Sequence, residues 1–146
     1  MGISIVAIVI AGISIIITTN SLTDSIDDFD ELEDKYVPQT REIYLFTQVD
    51  EAIDEEKYVI PPDMFSQDTI VVKKGDNVKI HFYNLEPAEK QEHHTFTITD
   101  PAYNIHGDIN SEENMLLEFT ASESGIFEYI CTYHQPTMKG ELVVLP

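Results

Sequence analysis

From Arg41 to the last residue, apolar side chains recur every second position over short runs, and no stripe at helical spacing reaches a useful length. In Val78-Lys-Ile-His-Phe-Tyr-Asn84 the residues Val78, Ile80 and Phe82 share one face, and Lys79, His81 and Tyr83 share the other. Ile43, Leu45 and Thr47 alternate with Tyr44 and Phe46 in the same way. Further strand-like runs cover residues 69–73, 94–99, 115–120, 126–131 and 140–145. Pro61-Pro62 and the turn Lys74-Gly75-Asp76-Asn77 punctuate them. About seven short strands parted by turn residues predict an all-β, antiparallel β-sandwich. A chain of 146 residues has room for one such domain and an appendage.

The appendage is the N-terminus. Residues 2–19 carry no charged side chain and are mostly Ile, Val and Ala. As a helix, eighteen residues span about 27 Å, close to the hydrocarbon thickness of a bilayer. A membrane segment is therefore expected over residues 1–19, either a retained anchor or a cleaved signal. A secretory signal would show a basic n-region and an Ala-x-Ala-like cleavage site, and neither is present. No Lys or Arg follows until Lys35, so the flank lacks a cytoplasmic retention signal and the remainder is expected outside the cytoplasm. Residues 20–38 hold seven acids against Lys35 and read as a solvated acidic linker; residues 39–146 form the folded domain.

The formal charge is −19. Nucleic-acid binding requires a basic footprint to displace counterions, and this chain has the opposite balance. The same balance argues against an anionic lipid surface as a docking partner. Two readings of the acidity remain open: solubility through like-charge repulsion, and steering of a basic-surfaced partner.

Chemistry concentrates near the C-terminus. The segment Cys131-Thr-Tyr-His134-Gln-Pro-Thr-Met138 packs a thiolate, an imidazole and a thioether into eight residues after a strand. A second imidazole is available upstream in Glu92-His-His-Thr-Phe-Thr-Ile. Two imidazoles, one thiolate and a weak thioether form the donor set of a blue-copper centre, which moves single electrons. The single cysteine excludes an internal disulfide, and no Cys-x-x-Cys pair exists for structural zinc. Of the adjacent His93 and His94, strand alternation turns one inward and the other away.

These segments resemble the cupredoxin family, which includes plastocyanin, amicyanin and azurin. The resemblance covers roughly residues 41–146 and rests on the His94-Thr-Phe-Thr-Ile run and on Gly125-Ile-Phe-Glu-Tyr-Ile-Cys131-Thr-Tyr-His134-Gln-Pro-Thr-Met138-Lys-Gly140. It implies a Greek-key β-sandwich, one type 1 copper ion, and His94, Cys131, His134 and Met138 as the metal ligands. The chain is especially similar to membrane-tethered archaeal cupredoxins. Three residues separate His134 from Met138, between the two of amicyanin-like loops and the four of plastocyanin-like loops. The family pattern also suggests a bond between Thr95 and Thr132.

The expected function is one-electron transfer between redox partner proteins, with no substrate transformed. Electrons would pass at the His134 edge, through a patch including Tyr133, Pro136 and Pro87. A multicopper oxidase needs His-x-His pairs, and a binuclear copper centre needs two cysteines; the sequence has neither. Copper delivery, as an accessory subunit of a membrane complex, is the competing reading. His81 is expected to be solvated, and His106 to lie exposed in a loop.

Overall fold

The computed structural model describes residues 36–146 and, ahead of them, the backbone of two short segments. The chain divides into two compact units, residues 1–36 and 37–146. In the first, β1 (Ala7–Ile10) pairs antiparallel with β2 (Ile13–Ile16). Residues 1–6, 11–12 and 17–35 lie outside the described residues, and the rest of the expected membrane or signal segment and most of the acidic linker fall there. Among the described residues, no helix is long and apolar enough to cross a membrane.

The second unit is a sandwich of two sheets. Its strands are β3 (Thr40–Val49), β4 (Asp63–Phe65), β5 (Thr69–Lys73), β6 (Asn77–Tyr83), β7 (His93–Ile98), β8 (Ile105–Asn110), β9 (Asn114–Thr120), β10 (Gly125–Ile130) and β11 (Lys139–Leu145). One sheet has the order β5-β11-β10-β7-β8 and the other β4-β3-β6-β9. The alternation seen in the sequence selects the inner faces: Val78, Ile80 and Phe82 are fully buried, as is Leu45. Across from them stand Phe96, Ile98, Tyr129 and Leu142 of the five-stranded sheet. Phe65, Phe82, Phe96 and Tyr129 form a connected aromatic cluster with ring centroids 5.0–6.4 Å apart. Each such buried side chain contributes about 1.5–3 kcal/mol relative to exposure, so this layer fixes how the sheets stack.

Two pairings are parallel, β3 with β6 and β5 with β11, so the sandwich is mixed rather than wholly antiparallel. Hydrophobic alternation reports which face of a strand is buried and carries no information on its direction. β4 and β8 were not anticipated. β4 has only three residues, and β8 is interrupted by Gly107 and polar residues. The single-turn helix α1 (Glu55–Tyr58) lies at the end of the acid-rich residues 50–57, where the Asp54 side chain caps it by accepting from the Lys57 amide at 3.1 Å. At the end of the sandwich that carries the Lys74–Asn77 turn, the fully buried Asp76 accepts from the Gln39 amide, Arg41 Nε and the Lys73 amide at 2.8–3.0 Å. This ties the start of β3 to the turn.

Gly140 of β11 is buried directly opposite Tyr129 in the ladder. A Cβ at that position would overlap the Tyr129 ring, which is held by its hydroxyl donating to the Gln67 carbonyl at 2.6 Å. Gly140→Ala should therefore destabilise the domain by about 1–3 kcal/mol, the usual cost of overpacking, read as a lowered urea midpoint with an unchanged slope.

Candidate metal centre

Three strand ends of the five-stranded sheet converge at one end of the sandwich. β7 opens with His93 exposed and His94 inward and fully buried, on the same face as Phe96 and Ile98. β10 and β11 pair up to Ile130 opposite Lys139. The next residues outward, Cys131 and Met138, therefore face each other, and the Cys131 amide donates to the Met138 carbonyl at 3.0 Å. Both side chains are fully buried.

The intervening loop is tied to itself. The Met138 amide donates to the His134 carbonyl at 2.9 Å. The Gln135 side-chain amide donates to the carbonyls of Cys131 at 2.8 Å and Met138 at 2.9 Å. Thr137 Oγ1 donates to the Pro61 carbonyl at 2.8 Å, anchoring the loop to its neighbour. His134 is thereby folded back over the cysteine.

Cys131 Sγ lies 3.5 Å from His134 Nδ1 and 3.9 Å from His94 Nδ1. Met138 Sδ lies 3.2 Å from His94 Nδ1. The imidazole centroids are 4.7 Å apart. One ligand atom each from His94, Cys131 and His134 falls within 4.8 Å of the others, close enough to share one ion. The structure thus brings together all four side chains singled out in the sequence, with both Nδ1 atoms turned toward the sulfur. A soft thiolate and thioether beside two imidazoles fits copper, and the thioether argues against zinc.

The cupredoxin-like domain family matches residues 43–144 of this chain. The chain belongs to that family. No curated protein matches it. Among solved structures, this cupredoxin is similar to auracyanin A, a "blue" copper protein of the photosynthetic bacterium Chloroflexus aurantiacus, at 20% identity and a TM-score of 0.52, covering 72% of this chain and 98% of the other. It is also similar to auracyanin of Roseiflexus castenholzii at 17% identity and a TM-score of 0.52, covering 72% and 97%. A copper nitrite reductase of Nitrosomonas europaea matches at 22% identity and a TM-score of 0.56, over 73% of this chain but 42% of the reductase. At these identities the likeness is one of fold.

The cupredoxin thiol is surrounded by groups that favour its ionised form. Burial alone would push Cys131 up, yet the imidazoles of His134 and His94 and the amides of Thr95 and Tyr133 outweigh it and draw the thiol down to about 5. The Thr95 amide donates to Sγ at 3.4 Å. His134 is raised chiefly by its contact with Cys131. His94 is pulled down by burial, but its contacts with Cys131 and Glu86 more than offset this and raise it. Thr95 Oγ1 sits 3.2 Å from Thr132 Oγ1 and accepts from the Thr132 amide at 2.8 Å, binding the strand to the loop beside the sulfur.

Three carboxylates that the sequence reading did not single out face the outer nitrogens of the two imidazoles. Glu86 Oε2 is 2.7 Å from His94 Nε2. Asp63 lies 3.9 Å from Nε2 of both histidines, and Glu92 lies 3.6 Å from His134 Nε2. Asp63 is raised above the usual carboxylate range, mainly by burial. With 27 acids in the chain, nothing in the order of residues marks these three. The remaining histidines lie apart from the cluster. His81 is partly buried, stacks on Tyr44 at 4.6 Å and pairs with Glu42, so it is engaged rather than simply solvated. His106 is exposed but stands on β8, not in a loop, with Nδ1 2.9 Å from Thr97 Oγ1.

Since the folded thiol titrates below an ordinary cysteine at about 8.5, its ionised form stabilises the metal-free fold fully above the unfolded value. That contribution is lost as the pH falls through the folded value. In the metal-free chain the ultraviolet thiolate absorption should disappear with a midpoint near pH 5. A midpoint above 8, near that of a free thiol, would show that the imidazoles do not support the thiolate.

Proposed function

We propose that this cupredoxin is a one-electron carrier built on a single type 1 copper ion, with His94, Cys131 and His134 as the strong ligands and Met138 as the weak one. When bound, copper supplies a Cu(I)/Cu(II) couple that needs little ligand movement in such a donor set. The observation that carries the reading is the convergence of these four side chains, three of them fully buried. Burial keeps water from the metal position, and the ladder bond between Cys131 and Met138 with the Gln135 staples resists movement of the loop.

The carrier reading also has a port. His134 is the most exposed of the four, with 15% of its side chain accessible. It borders an open depression of about 420 Å³ lined by Gln91, Glu92, His93, Tyr133 and His134. Tyr133 in its lining is exposed, as are Pro136 next to the His134 loop turn and Pro87, which suits brief docking of a redox partner. The net charge of −19 and the acids beside the port favour a basic-surfaced partner, drawn in by long-range attraction. The uncharged run over residues 2–19 supports a domain tethered to a membrane and facing outward, or secreted if that run is removed. Copper delivery fits less well, because a donor protein must expose its ligands to the acceptor, and here Cys131, His94 and Met138 are inaccessible.

Adding Cu(II) to the chain should produce an intense visible thiolate-to-copper band that bleaches and returns over one-electron cycles. Cys131→Ala should lose that band entirely. A band that survives the substitution excludes this site. Colourless Cu(I) binding with transfer to another protein would favour delivery.

A further inference from the structure

The geometry points to Glu86 as the residue that positions His94 and sets its strength as a copper donor, a role that rests on the copper reading above. For His94 to offer a bare Nδ1 to a metal between Cys131 and Met138, its proton must reside on Nε2. That proton needs an acceptor, because the ring is fully buried and away from water. Glu86 Oε2, at 2.7 Å, is the one carboxylate oxygen among the described residues within hydrogen-bond reach of Nε2; Asp63 is 3.9 Å away.

The contact is built into the fold. Asn84 and Thr47 are nearly fully buried and hydrogen-bonded to each other. Thr47 Oγ1 donates to Asn84 Oδ1 at 3.3 Å and accepts from the Leu85 amide at 3.2 Å. Asn84 Oδ1 also accepts from the Glu86 amide at 3.1 Å, and Asn84 Nδ2 donates to the Glu92 carbonyl at 3.1 Å. Both ends of the 84–92 loop are thus clamped to one buried amide, and Glu86 is aimed at the ring. Two polar side chains in the interior serve to hold one carboxylate in place.

A full negative charge on the far side of a ligand imidazole makes it a stronger donor than a neutral acceptor would. The richer donor favours Cu(II) over Cu(I), so Glu86 holds the reduction potential down. Glu86→Gln keeps the size and an oxygen acceptor while removing the charge. Glu89→Gln removes an exposed charge from the neighbouring 3-10 turn and controls for the general field.

The test is voltammetry of the copper-loaded full chain at one fixed pH, with Cu(II) and Cu(I) affinities measured in parallel. Glu86→Gln should keep the visible band but lower the Cu(II) affinity relative to Cu(I) by about tenfold, a rise of about 59 mV for one electron. Glu89→Gln should shift the potential far less. Without copper, NMR of the parent chain should show a downfield, slowly exchanging His94 Nε2 proton, which Glu86→Gln displaces. A potential unchanged in Glu86→Gln, or moved equally by Glu89→Gln, overturns the assignment while leaving the copper centre standing. A parent chain with no visible band instead overturns the copper reading. The NMR signal then decides the Glu86–His94 contact by itself, its absence from the parent counting against it.

Discussion

A thiolate shut away from water persists only where other groups answer its charge. Cys131 meets that condition through two imidazoles and two backbone amides, and most of the architecture follows from keeping them in place. The β10–β11 ladder puts Cys131 and Met138 opposite each other. β7 delivers His94 from the adjacent strand, and the stapled loop returns His134. The aromatic layer of Phe65, Phe82, Phe96 and Tyr129 beneath the site holds the two sheets together. Gly140 leaves room for Tyr129 within that layer.

Beyond the donors, three acids border the site. Glu86, Asp63 and Glu92 each lie within 4 Å of an outer imidazole nitrogen. They differ in what they can do. Glu86 is at bonding distance from a buried ring and acts on the ligand itself. Glu92 is at the rim and more exposed, where an approaching partner would meet it. The general surface charge acts further out still, and salt screens it over about 10 Å. On the proposed reading, potential and partner choice would be set by different residues at different depths.

Much of this was readable in the chain because it obeys short-range rules. Alternation found the inward faces of β3 and β6 and required His93 and His94 to point opposite ways, while the family resemblance picked His94 as the inward one. The spacing from Cys131 to Met138 announced a loop between paired strands. Strand direction was not readable, since period-two burial is the same for parallel and antiparallel neighbours. β8 was hidden by Gly107 and its polar residues, which took His106 with it. The carboxylates around the histidines were invisible for another reason: Asp63 and Glu86 lie far from Cys131 in sequence, and among so many acids only the folded backbone distinguishes them.

The central claim is that these four side chains gather on one metal ion. X-ray absorption at the copper edge of the loaded chain tests it most directly. One short sulfur and two imidazole nitrogens around copper, nearly unchanged in length on reduction, is the result the account requires. A shell of nitrogen and oxygen without sulfur, or one that rearranges on reduction, would contradict it.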